Sequence, residues 1–193
     1  VSKTLSYPKF QLGETVTKAE IDFFDKYGFI HYTNFITRER AEKVSSAIDE
    51  KQKEIIAKGI KKINGIPIKF GEDENSEPII QRFPYTSQMV PEVAKLYDDA
   101  RLQNLKELIP DAGYPRRIGL NEKDGVVANH YVNTGNSNYK QLGWHTDVAR
   151  DFLLGKGMYP MLNVGIYLTD SNPENGGLRT LPGTHKQNGF QTM

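Results

Sequence analysis

The sequence predicts an α+β fold in which helices come first and a β-rich part follows. Helical patterns with recognisable caps occupy about the first 110 residues, and short apolar runs bounded by Gly, Asn and Pro dominate the rest. Strands separated by such turns favour an antiparallel sandwich or jelly roll. We expect one domain over residues 1–193, with a helical part at about 1–110 and a jelly-roll part at about 115–193.

The first helix is predicted from a capping box, in which Thr17 is followed three residues later by Glu20. Apolar side chains then recur at helical spacing as far as Tyr27, and Gly28 is suited to end the helix. A short strand is expected next, at residues 29–32.

A longer helix is predicted at residues 38–58, with Thr37 as its cap and Gly59 as its stop. A polar loop at residues 71–77 and a third helix at about 91–108 follow. The inner face of the long helix is predicted to be lined by Ala41, Val44, Ile48 and Ile55.

The later part of the chain contains three runs that are typical of strands. They lie at residues 125–132, 159–169 and 178–181. The lysine-rich run at residues 58–69 is interpreted as a solvated surface.

Composition excludes several classes of function. The absence of cysteine rules out disulfides, zinc–thiolate sites and cysteine nucleophiles. Lys and Arg total 25 against 24 for Asp and Glu, so the near-neutral chain lacks the basic footprint of a nucleic-acid or membrane-surface protein. No run of eighteen apolar residues predicts a membrane span, and residues 1–10 lack a signal-peptide core. We expect a cytoplasmic protein whose partner is a small molecule.

The stretch GWHTD, residues 143–147, offers a candidate metal site. On an extended segment, His145 and Asp147 point to the same face. An imidazole nitrogen and a carboxylate oxygen are two of the three ligands in the 2-His-1-carboxylate triad that binds Fe(II). The tripeptide is common, however, and by itself it is weak evidence, because polar residues at a strand end explain it more simply.

The sequence around this tripeptide resembles the phytanoyl-CoA dioxygenase family of Fe(II)/2-oxoglutarate oxygenases. The family's pattern has W-H-x-D, then L-T-D, N-G-x-L and P-G-[ST]-H-K, which appear here in order at residues 144–147, 168–170, 175–178 and 182–186. Around W-H-x-D, and in G-M-x-P at residues 157–160, the chain is similar to the ectoine hydroxylase branch. The resemblance extends over most of the chain.

The resemblance implies a non-haem dioxygenase that uses Fe(II), 2-oxoglutarate and O2 to hydroxylate an unactivated C–H bond of a small molecule, with succinate and CO2 as co-products. His145 and Asp147 would be its catalytic metal ligands. Because the related halogenases lack this carboxylate, Asp147 favours hydroxylation. The alternatives are a non-catalytic jelly-roll protein or inactive fragment, and a cupin-like metalloenzyme, which the total of four histidines disfavours.

The resemblance also implies a second histidine ligand and an arginine for 2-oxoglutarate further along the chain. No matching segment follows Asp147 in these 193 residues. His185, in the P-G-T-H-K turn, does not stand at the family's ligand position. We therefore expect the sequence to be truncated before its last strands.

Asparagines on predicted strands are the candidates for contacts with 2-oxoglutarate. Asn129, Tyr131 and Asn133 share one strand face by parity. In the similar hydroxylases, a glutamine and an asparagine four apart contact the co-substrate, which points to Asn129 and Asn133, although hydrogen bonding at a strand end is an equal alternative. Asn163 lies inside an apolar run, where its amide needs a partner, either a ligand or a backbone group.

Four further residues are candidates for substrate contacts. Gln81 and Arg82 lie where the similar enzymes bring a segment over the pocket, and Arg150 is in the loop after the H-x-D motif. Trp144 is expected beside the metal as a packing wall. His130, which faces away from Asn129 by parity, is interpreted as structural.

Overall fold

The computed structural model describes most of the first 111 residues and separate parts of the remainder. The described residues are 6–111, 119, 124–131, 143–145, 161–172, 175 and 177–187. Helices and short strands both occur among them, which confirms the α+β prediction at that level. Within these residues, no helix is both long enough and apolar enough to cross a bilayer.

Helix α1 (Lys18–Tyr27) begins at the predicted capping box. The Thr17 hydroxyl accepts a hydrogen bond from the Glu20 backbone N–H at 3.3 Å, and the Glu20 carboxylate accepts one from the Thr17 N–H at 2.6 Å. Gly28 ends the helix with φ of 75°, and its N–H donates to the Phe24 carbonyl at 2.7 Å. The sequence therefore predicts both ends of this helix correctly.

The first strand pair is shorter than the sequence predicts. Strand β1 (Phe10–Gln11) pairs in parallel with β2 (Tyr32–Thr33). The predicted strand at residues 29–32 thus begins too early. Phe29 is used instead in aromatic packing, with its ring edge-on to Tyr7 at 5.2 Å between centroids.

Helix α2 (Arg38–Ala57) follows the prediction closely. The Thr37 hydroxyl accepts from the Arg40 N–H at 3.2 Å, and Gly59 adopts φ of 63° just beyond the helix. Gln52 is also buried, and sequence reasoning missed it because its side chain is polar. The predicted inner face is confirmed, since the structure buries Ala41, Val44, Ile48 and Ile55.

A hairpin occupies the lysine-rich run that the sequence suggested was only a solvated surface. Strands β3 (Lys62–Ile63) and β4 (Ile66–Pro67) are antiparallel. Asn64 and Gly65 join them with φ of 48° and 81°, the pair of positive values that a two-residue type I′ turn requires. The lysines are exposed while Ile63 is buried, so the run has an inner side as well as a solvated one.

Two longer antiparallel strands follow directly. Strands β5 (Lys69–Glu72) and β6 (Pro78–Phe83) pair with a β-bulge at Lys69/Phe70. The predicted loop at residues 71–77 is therefore too long. The expectation that strands follow the helices is also wrong here, because β3 to β6 precede three more helices.

The predicted third helix is broken into pieces. The structure has α3 (Thr86–Met89), α4 (Pro91–Tyr97), α5 (Ala100–Asn104) and a 3₁₀ turn (Leu105–Leu108). The break has a local cause: the Asp99 carboxylate accepts from the Arg101 backbone N–H at 3.0 Å and so starts a new helix.

The main core lies between α2, β6 and α4. It includes Val44 and Ile55 from α2, Ile80 and Phe83 from β6, and Leu96 from α4. The burial of both Ile80 and Phe83 shows that β6 is covered on its two faces.

The later strands are only partly formed among the described residues. Strand β7 (Ala128–Asn129) pairs antiparallel with β6. Residues 161–169 and 178–181 form no strand, so these two strand predictions are wrong for the described residues. The apolar run serves packing rather than pairing, since Leu162, Ile166 and Leu168 contact the cores. The described residues therefore do not form a jelly roll, and that architecture stays a prediction.

Candidate metal and co-substrate site

The His145 ring is oriented by the backbone of its own motif. Its Nδ1 lies 2.9 Å from the Gly143 carbonyl oxygen, and because that oxygen can only accept, Nδ1 carries the proton and donates it. In the neutral imidazole, Nε2 is then the nitrogen whose lone pair would bind a metal, and a backbone hydrogen bond of this kind commonly orients metal-bound histidines. The histidine is exposed, and this bond is local to the GWHTD stretch.

Several predicted site residues fall outside the described residues. These are Asp147, Asn133 and Arg150. Among the residues that the structure does describe, no group of three His, Asp or Glu side chains could hold a metal ion. An imidazole and a carboxylate are nevertheless donors of the type that Fe(II) takes, so His145 and Asp147 fit such an ion by their chemistry.

The β6–β7 ladder brings two sets of predicted residues together. Arg82, a candidate for substrate contact, lies directly opposite Asn129, a candidate for co-substrate contact. One position further, the His130 N–H donates to the Gln81 carbonyl at 3.0 Å. Asn129 and Tyr131 are exposed at the end of this ladder, Tyr131 to 64%.

Gln81 is fully buried and packs over a glycine. A Cβ built on Gly71 would lie 2.4 Å from the Gln81 Cδ, so the side-chain amide occupies the space above that glycine. Gln81 is also the residue that the β-bulge inserts between the partners of Lys69 and Phe70. Bulges often redirect a side chain next to a functional site. The amide thus points into the protein interior rather than toward solvent.

Arg82 is held by a partner that sequence reasoning missed. Its Nη2 donates to the Asp124 carboxylate, and the two side chains are 27% and 25% exposed. The Asp124 carbonyl in turn accepts from the Tyr85 N–H at 2.9 Å, which anchors the aspartate on the chain that leads into β7. No sequence signal marks this pair, because the partners are 42 residues apart.

Asn163 and Trp144 differ from their expected environments. Asn163 is exposed and lies in no strand, so it is not the buried strand asparagine that the sequence suggested. The inward contacts of this segment are made by Leu162, Ile166 and Leu168 instead. Trp144 is 65% exposed, so most of its side chain faces solvent instead of forming the expected packing wall.

His185 lies at a different place in the fold. Its Nε2 donates to the Asp25 carbonyl at 2.9 Å, at the end of α1. That nitrogen therefore carries a proton and presents no lone pair to a metal. The P-G-T-H-K turn therefore packs against the end of α1 and does not contribute Nε2 of His185 to a metal site. Its contacts with α1 were not predicted from the sequence.

Comparisons with known proteins identify one family. The family model described as phytanoyl-CoA dioxygenase (PhyH) matches residues 24–193, which is most of the chain and includes every motif from W-H-x-D to P-G-T-H-K. No curated protein and no solved structure matches the chain. The chain belongs to the phytanoyl-CoA dioxygenase family.

Proposed function

We propose that this protein is a non-haem Fe(II)- and 2-oxoglutarate-dependent dioxygenase that hydroxylates an unactivated C–H bond of a small molecule. Family membership supports this, because phytanoyl-CoA dioxygenase relatives are oxygenases that in general use Fe(II) and 2-oxoglutarate. The observation that carries the proposal is the His145 ring. Its Nδ1 lies 2.9 Å from the Gly143 carbonyl oxygen within the family's W-H-x-D motif, so in the neutral imidazole Nε2 is the nitrogen that would bind a metal.

In this proposal His145 and Asp147 hold the metal. When bound there, Fe(II) and 2-oxoglutarate would supply the activation of O2, with succinate and CO2 as co-products. The protein itself positions the reactants and limits the access of water. The carboxylate of Asp147 would occupy a coordination position, which favours hydroxylation over halogenation.

Side chains with N–H or O–H donors would orient 2-oxoglutarate through its carboxylates. We assign this role to Asn129, Tyr131, Asn133 and Asn163. Asn129 and Tyr131 are two apart and exposed at the end of the β6–β7 ladder, where a ligand can reach them.

The substrate would approach past a second group of residues. We assign contacts with it to Gln81, Arg82, Trp144 and Arg150. The similarity to the ectoine hydroxylase branch in W-H-x-D and G-M-x-P supports a small, amino-acid-like metabolite. The net charge of +1 argues against a polyanionic partner such as nucleic acid.

The proposal is tested by forming the metal site without oxygen. Fe(II) and 2-oxoglutarate, added anaerobically to the gene product at its natural length, should give the weak visible metal-to-ligand charge-transfer band. His145→Ala should abolish the band, and the matched variant His185→Ala should keep it. Absence of the band in the unaltered protein would support a non-catalytic jelly-roll protein instead, and its persistence in His145→Ala would overturn the assignment of His145 as a metal ligand.

If the band forms, the substrate can be sought by its effect on turnover. Small metabolites should be screened for those that stimulate succinate formation from 2-oxoglutarate. A compound that does so should also yield a product one oxygen atom heavier by mass spectrometry. Stimulated succinate without an oxygenated product would overturn the assignment as a hydroxylase of that compound.

A further inference from the structure

The hydroxyl of Thr86 links the two strands that carry Asn129 to the candidate site. Phe83 on β6 and Ala128 on β7 are partners in the register. The Ala128 backbone N–H donates to Thr86 Oγ1 at 3.1 Å, and the same hydroxyl donates to the Phe83 carbonyl at 2.6 Å. One side chain therefore connects the donor of one partner to the acceptor of the other, as a direct hydrogen bond does in a regular ladder.

The place of this hydroxyl is fixed by its surroundings. Thr86 is completely buried, and its backbone N–H donates to the Val126 carbonyl at 2.8 Å. The preceding residue, Tyr85, has φ of 53°, a left-handed conformation that a bulky side chain rarely adopts. Such a backbone persists only where the neighbouring structure enforces it. Here the Tyr85 N–H donates to the Asp124 carbonyl at 2.9 Å, so the segment that leads into β7 holds the turn that carries Thr86.

The ladder that the hydroxyl joins is short. Strand β7 consists of Ala128 and Asn129, and each has one partner on β6. With two register pairs, each link between the strands contributes much of their alignment. A slip of one residue would turn Asn129 to the opposite face of the sheet. Because Thr86 Oγ1 binds the residue next to Asn129, it opposes that slip at the adjacent position.

We propose that Thr86 is a positioning residue that fixes the direction in which Asn129 and Tyr131 meet 2-oxoglutarate. This inference rests on the proposed function, which assigns those two residues to the co-substrate. Thr86 is completely buried and acts through β7. Its effect falls on the affinity for 2-oxoglutarate and not on the affinity for the metal, because the His145 ring is oriented within its own motif.

The variant Thr86→Val tests the hydroxyl alone, because valine has a similar shape but neither donates nor accepts a hydrogen bond. In the metal-free gene product at its natural length, hydrogen exchange of the Ala128 amide should become about tenfold faster or more. In the Fe(II) protein kept without oxygen, titration of the charge-transfer band with 2-oxoglutarate should give a Kd raised about tenfold. The affinity for Fe(II) alone should not change.

The conservative variant Thr86→Ser retains the hydroxyl and should restore both the slow exchange of the Ala128 amide and the low Kd for 2-oxoglutarate. An unchanged Kd in Thr86→Val would overturn the proposal. So would a Kd that stays high in Thr86→Ser, since the hydroxyl would then not be the group that matters.

A second threonine separates a positioning role from a merely structural one. Thr33 on β2 also joins two strands, because its hydroxyl donates to the Phe10 carbonyl on β1 at 3.2 Å. Thr33→Val should therefore lose stability in denaturant unfolding, as Thr86→Val does, but keep the Kd for 2-oxoglutarate of the unaltered protein. If the two variants weaken 2-oxoglutarate binding equally, Thr86 contributes stability alone and the proposal is overturned.

The unaltered protein provides the test if Thr86→Val does not fold. Coupling between two sites is reciprocal, so 2-oxoglutarate should slow exchange of the Ala128 amide when Zn(II) replaces Fe(II). The Phe10 amide, which donates to the His31 carbonyl at 2.9 Å in the β1–β2 pair, should not respond. An equal response of the two amides, or none at Ala128, would overturn the proposal.

The two levels of proposal fail in different ways. If the unaltered protein gives no charge-transfer band, the proposed function fails and this inference fails with it. If the band forms normally and Thr86→Val has the Kd of the unaltered protein, only the role of Thr86 is overturned.

Discussion

The imidazole of His185 lies directly on Gly28, so closely that a Cβ on that glycine would be 2.3 Å from the histidine Nδ1. The same ring donates through Nε2 to the Asp25 carbonyl, and the Lys186 ammonium donates to the Asp25 carboxylate at 2.8 Å. The P-G-T-H-K turn thus satisfies a carbonyl at the end of α1 and places a cation where the helix dipole is negative. This contact joins segments 160 residues apart.

Replacing Gly28 by alanine should destabilise the protein through two effects. A left-handed backbone costs alanine about 1–2 kcal/mol, and the new methyl group displaces the His185 ring at a further cost of about 1–3 kcal/mol. Gly59→Ala is the matched control, because Gly59 also has positive φ, of 63°, but nothing within 4 Å. Urea unfolding should show a larger loss of stability for Gly28→Ala. Equal losses would show that the His185 contact contributes nothing.

The two histidines should separate in their effects on stability and on metal binding. His185→Ala removes the hydrogen bond to Asp25 and should lower the free energy of unfolding by about 0.5–1.5 kcal/mol, while iron binding persists. His145→Ala removes an exposed side chain with a local hydrogen bond, so it should change stability little and abolish iron binding. Iron titration and thermal unfolding of both variants check this, and a reversed pattern would contradict both assignments.

Gly71→Ala should disturb the packing of the protein interior at the β5–β6 strand pair. The added methyl group would be 2.4 Å from the Gln81 Cδ, and Gln81 is fully buried, so its side chain has to reorient within the core. We expect a loss of about 1–3 kcal/mol. Gly13→Ala, whose methyl group would approach only the Thr15 carbonyl at 3.7 Å, should cost much less.

A double variant tests whether that loss comes from the Gln81 contact. Gly71→Ala should be less damaging in a Gln81→Ala background, because the clashing side chain is gone. Denaturant unfolding of the single and double variants gives the coupling. Strict additivity of the two losses would rule out the clash as the cause.

Glu54 should make folding sensitive to strongly acidic pH. Hydrogen bonds from the Lys51 and Lys58 ammonium groups lower the pKa of Glu54 from 4.5 to about 2. Because the pKa is lower in the folded state, the stabilisation is present above pH 4.5 and is lost as pH falls from 4.5 toward 2. Carboxyl NMR of Lys51→Gln should show the Glu54 pKa moving up, whereas exposed Lys53→Gln should leave it unchanged. An unchanged pKa in Lys51→Gln would contradict this cause.

The elements that sequence reasoning predicted well depend on neighbours in the chain. The Thr17–Glu20 capping box acts across three residues, and the inner face of α2 follows from helical spacing alone. The third helix was predicted less well, because the capping tendency of Asp99 was overlooked. The β5–β6 pair was missed because its Gly- and Glu-containing strand has a loop-like composition.

The features of the candidate site likewise divide into those that depend on neighbours in the chain and those that depend on distant contacts. The W-H-x-D motif could be recognised from the sequence, because its ligand types and spacing are local. The Arg82–Asp124 pair could not, since the partners are 42 residues apart and neither belongs to a motif. The burial of Gln81 over Gly71 likewise depends on a β-bulge that no local pattern announces.

By itself, the sequence determined the family and the ends of α1 and α2, and it predicts the chemical type of the metal ligands, because these depend on residue identity at short spacing. Only the tertiary structure decided that Arg82 pairs with Asn129 across β6 and β7, and that His185 donates a hydrogen bond to the C-terminal end of α1. Such contacts depend on strand register and on packing between distant segments, where the favourable energy comes from burial and pairing that are shared by many residues.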